Sequence, residues 1–166
     1  MPLKTLWAPW RMEYIAAPQQ KGDSSCLFCR VAAEGEAKAS RNLVVELLPG
    51  ALIMMNRYPY TSGHLMVAPR RHARSLAHFN ADEVRDLFLA VKRAEELLAC
   101  CLRWEGLNIG VNVGEAAGAG IAGHLHVHLV PRWGGDTNFM TVLGETRVIP
   151  EHILKTYRKL RAAARK

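Results

Sequence analysis

The sequence predicts an α+β domain, an antiparallel sheet of about five strands with helices packed on one side. Three observations carry that expectation. Short apolar runs bounded by turn residues are interspersed with stretches of helical spacing. The first two runs are separated only by Pro49-Gly50, which reads as the turn of a β-hairpin. At 166 residues and 49% hydrophobic composition, the chain makes one domain with a sizeable core.

Each element has its own local reason. Residues 1–22 form an arm carrying Trp7, Pro9, Trp10, Tyr14 and Pro18. It is too aromatic for a disordered tag and is expected to pack on the domain or on a partner. A Cys26 knuckle leads into a short helix ending near Gly35. Val44 to Leu48 and Ala51 to Met55 are the hairpin strands, Asn56 to Gly63 a loop, and Leu65 to Ala68 a third strand. Asn80 and Glu83 have the spacing of a capping box. Behind them Val84, Leu87, Phe88, Val91, Ala94, Leu98 and Cys101 recur at helical intervals, so a long amphipathic helix is expected. Leu107 to Val113 and Leu125 to Val130 read as two more strands. Pro150 opens a final helix with Ile153, Leu154, Tyr157 and Leu160 on one face. There are no internal repeats and no low-complexity linker.

The chemistry concentrates in His124-Leu125-His126-Val127-His128-Leu129-Val130-Pro131-Arg132. Alternation on a strand sends Leu125, Val127 and Leu129 to a core and sets three imidazoles on the other face, about 6.5 Å apart. Imidazole serves as nucleophile, proton carrier or metal ligand near neutral pH. A metal site of the kind found in oxygenases and cupins is the alternative. The flanks favour phosphate chemistry. Small residues from Gly110 to Gly120 let backbone N–H groups approach an anion, and Arg132 adds a permanent cation.

The formal charge is +7, from 22 Lys and Arg against 15 Asp and Glu. Much of the excess lies in the tail, at Lys155, Arg158, Lys159, Arg161, Arg165 and Lys166. It reads either as a solvated helix face or as an attraction for a nucleotide or nucleic acid. No run approaches the ~18 apolar residues of a membrane span, and Met1 to Ile15 lacks the core of a signal peptide. A cytoplasmic location with reduced thiols is therefore expected.

Cys26 and Cys29 have the Cys-x-x-Cys spacing of a metal or redox pair. With no second such pair, histidines must complete a zinc site, and the chain offers His64, His72, His78, His124, His126, His128 and His152. A set of Cys26, Cys29, His72 and His124 would tie the knuckle to two strands. Four protein ligands leave no open position, so such a zinc is structural. A thioredoxin-like dithiol is the competing reading, but it lacks a βαβ context.

With its alternating histidines followed by apolar residues and Pro-Arg, the chain resembles the histidine-triad (HIT) nucleotidyl transferases and hydrolases. Cys26 to Cys29, Asn56-Arg57-Tyr58-Pro59, Gly63 to Pro69 and Ala117-Gly118 follow in the family's order. The ends, Leu6-Trp7-Ala8-Pro9-Trp10-Arg11 and Gly135 to Met140, resemble the bacterial diadenosine tetraphosphate phosphorylase branch. The resemblance implies a catalytic domain over 23–145 and a basic helix over 146–166. It implies that His126 is a nucleophile attacking the α-phosphorus of a nucleotide and that His128 hydrogen-bonds phosphate or leaving-group oxygens. His64 and Asn112 would contact phosphates, Asn56 the ribose, and Cys26, Cys29, His72 and His124 a zinc ion. A homodimer is implied as well.

One departure stands out. Many triad hydrolases carry Gln or a hydroxyl residue after Ala-Gly, whereas here Gly118 is followed by Ala119 and Gly120. Backbone N–H groups would replace the missing donor, and the space would admit inorganic phosphate as acceptor. The expected reaction is phosphorolysis of a dinucleoside polyphosphate to ADP and ATP. The alternatives are hydrolysis of dinucleoside polyphosphates or nucleoside phosphoramidates, and a non-catalytic nucleotide or nucleic-acid binder. The intact triad argues against the last.

Overall fold

The structure, a computed structural model, describes residues 26–136 and 151–166. The aromatic arm and the run from Thr137 to Pro150 lie outside the described residues. Strands β1 (Val44–Leu47), β2 (Ala51–Met55), β3 (Leu65–Pro69), β4 (Gly106–Val111) and β5 (Val127–Arg132) form one sheet in the order β1-β2-β3-β5-β4. Every neighbouring pair is antiparallel. Four α-helices are described: α1 (Leu27–Glu34), α2 (Ala39–Asn42), α3 (Ala81–Cys101) and α4 (Ile153–Ala164). None of them is long and apolar enough to cross a membrane.

The long helix α3 forms where capping and periodicity agree. Asn80 Oδ1 accepts from Glu83 N–H at 2.9 Å, and Glu83 Oε2 accepts from Asn80 N–H at 2.9 Å. Its buried face, Leu87, Ala90, Val91, Ala94, Leu97 and Leu98, lies on the sheet with Ile53, Leu65, Val67, Val127 and Leu129. From α4, Tyr157 and Leu160 join this core, and the Tyr157 hydroxyl donates to the Val44 carbonyl at 3.2 Å.

Helices on one side only were expected; α1 instead covers the opposite face. Phe28, Val31 and Ala32 pack there with Val44, Leu52, Met54, Met66 and Ala68. Residues paired across antiparallel strands share a face. Val44 is opposite Met54, Met54 opposite Met66, Met66 opposite His128, and His128 opposite Gly110. One row of side chains therefore runs across the sheet from β1 to β4, and it makes the floor of the site.

Several strand ends differ from the sequence reading by one or two residues, and two of them bear on the site. Strand β5 begins at Val127 rather than Leu125, because Leu125 N–H bonds the loop carbonyl of Ala73 at 2.7 Å. Strand β4 ends at Val111, two residues before Val113. Between α2 and β1, Leu43 is the one described non-glycine residue with positive φ (58°). That left-handed geometry costs a bulky side chain roughly 1–2 kcal/mol. It is held because Leu43 is 2% exposed, buried in the α3 core, and its carbonyl accepts from Met55 N–H at 2.9 Å.

Candidate active site and metal group

The three alternating histidines have three different surroundings. His124 is buried, with Nε2 2.9 Å from the Pro69 carbonyl. A carbonyl only accepts, so Nε2 carries the proton and Nδ1 presents a lone pair. That Nδ1 lies 3.1 Å from Cys26 Sγ and 3.6 Å from Cys29 Sγ, while Cys29 Sγ is 3.3 Å from His72 Nδ1. The four ligand atoms all lie within 4.8 Å of one another. A tetrahedral zinc site has S–N edges of about 3.6 Å, from Zn–S and Zn–N bonds of about 2.3 and 2.0–2.1 Å. Two thiols and two imidazole nitrogens fit that ion. Burial, and then Cys26 beside it, push the Cys29 thiol above its usual range, so binding a cation there would release its proton. The Pro69 carbonyl would be the outer partner that fixes the ring of His124 as a ligand.

His126 is 3% exposed, and its Nδ1 is 2.9 Å from the His124 carbonyl. The same argument puts the proton on Nδ1 and the lone pair on Nε2. Burial holds His126 below the usual imidazole range, partly opposed by that carbonyl, so the ring is neutral at pH 7. The Phe28 ring, from between the two cysteines, sits 5.1 Å from the His124 ring and 4.9 Å from the His126 ring. One apolar side chain thus braces His124 and the neighbouring His126 together.

His128 is fixed by a relay. Tyr60 N–H donates to His64 Nδ1 at 3.2 Å, so the His64 proton is on Nε2. That Nε2 is 2.9 Å from His128 Nδ1, which must accept, and the His128 proton is therefore on Nε2. Tyr60 also stacks on His64 with centroids 4.8 Å apart. One imidazole presents a lone pair and its neighbour a proton, with ring centroids 4.7 Å apart. That pairing suits attack on a centre whose departing oxygen gains charge and accepts a hydrogen bond.

Both rings open on a cavity of about 290 Å³. Met54 and Met66 form its floor, Leu27, Arg30 and Val31 its α1 wall, and Asn42, Asn56 and Arg57 line it as well. Gly118, Gly120 and Ile121 close the remaining side. Asn56 is held by an Asx turn, its Oδ1 accepting from Tyr58 N–H at 2.9 Å.

Other expected residues are placed differently. His64 is fully buried behind His128 and does not line the cavity. Asn112 lies one residue past β4 and is also outside the lining. Arg132, expected at the phosphates, has its guanidinium on Asp136, with Nε–Oδ2 at 2.6 Å and a second contact at 2.8 Å. It bonds Asn108 too, and it does not line the cavity. Ala119 lies between two lining glycines but is itself 9% exposed and not part of the lining. The loop's N–H groups are also redirected: Gly118 donates to the Glu115 carbonyl and Ala119 to that of Gly114. Those two donors belong to the turn. What the loop does supply is room, since a Cβ on Gly118, at φ 84°, would meet nothing within 4 Å. Phe28, Arg30, Asn42 and Tyr60 were not singled out from the sequence, and Arg57 stood only within the Asn56-Arg57-Tyr58-Pro59 motif. Arg30 was within reach of such reasoning, four residues after Cys26 on the knuckle helix; Asn42 had no signal at all.

The fold and this constellation define a histidine-triad protein, and the HIT domain family matches residues 37–135. The chain belongs to the HIT family. It is 38% identical over 161 residues to the AP-4-A phosphorylase of Mycobacterium tuberculosis, covering 95% of this chain and 83% of that protein. It is 31% identical to the bifunctional bis(5'-adenosyl)-triphosphatase/adenylylsulfatase FHIT of Arabidopsis thaliana, over 71% of this chain and 63% of that one. A crystal structure of a Zn-bound histidine triad family protein from Mycobacterium smegmatis matches with a TM-score of 0.67 at 27% identity. That match covers 85% of this chain and 94% of the other.

Proposed function

We propose that this chain is an enzyme that cleaves dinucleoside polyphosphates by nucleotidyl transfer through His126, with inorganic phosphate as the acceptor. The observation that carries the reading is the pair of fixed tautomers at the cavity, a lone pair on His126 Nε2 beside a proton on His128 Nε2. In the first step the Nε2 lone pair forms a bond to the α-phosphorus. The bond from phosphorus to the bridging oxygen breaks, and the nucleoside polyphosphate departs as an anion whose oxygen accepts a hydrogen bond from His128 Nε2–H. In the second, a phosphate oxygen attacks the nucleotidyl-imidazole, the P–N bond breaks, and a nucleoside diphosphate leaves. With diadenosine tetraphosphate the products are ATP and ADP.

Phosphate as acceptor is supported by the similarity to a phosphorylase along almost the whole chain and by the open space at Gly118. Hydrolysis is the second reading, favoured by the engagement of the Gly118 and Ala119 N–H groups in their own turn. Incubation with diadenosine tetraphosphate, with and without phosphate, separates the two. ADP and ATP formed only with phosphate support phosphorolysis; AMP and ATP at the same rate without it make the protein a hydrolase.

Two further features belong to this reading. Cys26, Cys29, His72 and His124 would hold a zinc ion that fastens α1 to β3 and to the strand entering the site. The outer side of β4 is a sheet edge bearing Ile109, 46% exposed, with Val113, 53% exposed, just beyond it. A second copy pairing there would cover an edge that soluble proteins protect.

A further inference from the structure

The cavity's end remote from the histidines holds a polar side chain in a fixed orientation. Asn42 is 8% exposed and lines the cavity beside Val31 and Met54. Its Nδ2 donates to Glu34 Oε2 at 2.6 Å. That amide, then Lys38 and Arg30, hold the Glu34 carboxyl below its usual range, so the group only accepts. The amide therefore cannot turn over, and Oδ1 is the atom left for the cavity. It takes no hydrogen bond from the described residues and is not enclosed.

The backbone supports the same placement. Leu43, next in the chain, holds its left-handed conformation and enters the opposite core, which leaves Asn42 on the cavity side. Backbone strain of this kind collects at working sites. The row from His128 through Met66 and Met54 to Val44 spans three strand spacings, about 14 Å. A nucleoside monophosphate with its phosphorus at His126 would lie along that row with its base over Met54 and its far edge toward Asn42.

We infer that Asn42 is the base-reading residue of this site, its amide oxygen accepting from the 6-amino group of adenine, with Glu34 as the positioning residue that fixes the amide. This rests on the proposed nucleotidyl transfer and adds the identity of the base. A 6-keto purine would set oxygen against oxygen. Of the two arginines on the cavity that would favour guanine, Arg30 is drawn back toward Glu34 Oε1 at 3.5 Å and Arg57 donates to the Arg41 carbonyl at 2.8 Å.

The test compares the adenine and guanine forms of the dinucleoside tetraphosphate for turnover, and AMP with GMP for binding by calorimetry. The wild-type protein is expected to prefer adenine in both assays, on the order of 10- to 100-fold. Asn42→Ala should bring the ratio close to one. Glu34→Gln frees the amide to reverse and releases Arg30, so it should move the ratio toward guanine while binding persists; a merely structural role would weaken both nucleotides alike. Equal AMP and GMP binding by wild-type protein, or an unchanged ratio in Asn42→Ala, would overturn the inference. Absence of turnover with either dinucleotide alongside selective AMP binding would instead remove the proposed reaction and keep the base reading.

Discussion

The two faces of the sheet are built to different rules. Toward α3 and α4 the buried residues are apolar almost without exception, from Ile53, Leu65 and Val67 to Leu98, Leu129 and Leu160. Toward α1 the apolar cluster is half that size and shares its face with the cavity and the Cys-His group. One strand serves both, because its alternation sends Val127 and Leu129 one way and His126 and His128 the other. Stability and chemistry are therefore separable by face, and substitutions chosen face by face can test that separation.

The largest effect is expected from His126→Ala. Removing a covalent nucleophile costs on the order of 10⁴-fold or more in turnover. Because the α3 face is untouched, the melting temperature should barely move. More than a few per cent of wild-type activity would place the nucleophile elsewhere and dissolve the division between faces.

Next comes the metal group, where the division should be weakest. Zinc supplies roughly 10–16 kcal/mol to small domains that depend on it. Here the large α3 core contains none of the four Cys and His residues, so chelation or Cys29→Ser should remove a fraction, lowering the melting temperature by about 10 °C. Turnover should fall as well, because Phe28 touches both His124 and His126. Metal analysis of protein never exposed to chelator should give about one zinc per chain. A metal-free preparation with full stability would sink the assignment.

On the other face, Leu98→Ala removes a fully buried side chain from α3. A loss of about 2–5 kcal/mol is expected. Turnover per folded molecule should be unchanged. Calorimetric melting and titration of active sites distinguish the two quantities, and a parallel loss of both would mean that the faces are coupled.

The same division explains what could be read from the sequence. The α3 face follows from periodicity and capping, because burial on one side of a helix or strand imposes a repeat. Asn80 with Glu83, the Pro49-Gly50 turn and the alternation around Val127 each leave such a trace. The cavity face leaves few. Cys26, Cys29 and the triad are legible because their chemistry is rare, and His72 and His124 because the two thiols require partners. Asn42 and Leu43 carry no trace, since α2 is a four-residue helix without a repeat and its positive φ falls on leucine rather than glycine. Arg132 shows what the sequence does not weigh: Asp136, four residues on, is a bidentate partner that a phosphate would have to displace.

The smallest effect lies at the start of α4, away from both the cavity and the metal. Lys159 at 2.8 Å, the Thr156 hydroxyl at 2.8 Å and Lys155 at 3.4 Å hold the Glu151 carboxyl down to about 2. A carboxylate depressed in the folded state adds stability above its unfolded value, near 4.5, and that stability fades as pH falls toward 2. The lysines are exposed, so water screens most of the attraction and less than about 1 kcal/mol is expected. Glu151→Gln keeps an oxygen for Thr156 and removes only the charge. Melting temperatures of the two proteins should differ by a few degrees near pH 6, draw together from about pH 4.5 downward and converge only near or below pH 2. A gap that persisted into that acid range would mean that Glu151 acts through its shape and not its charge.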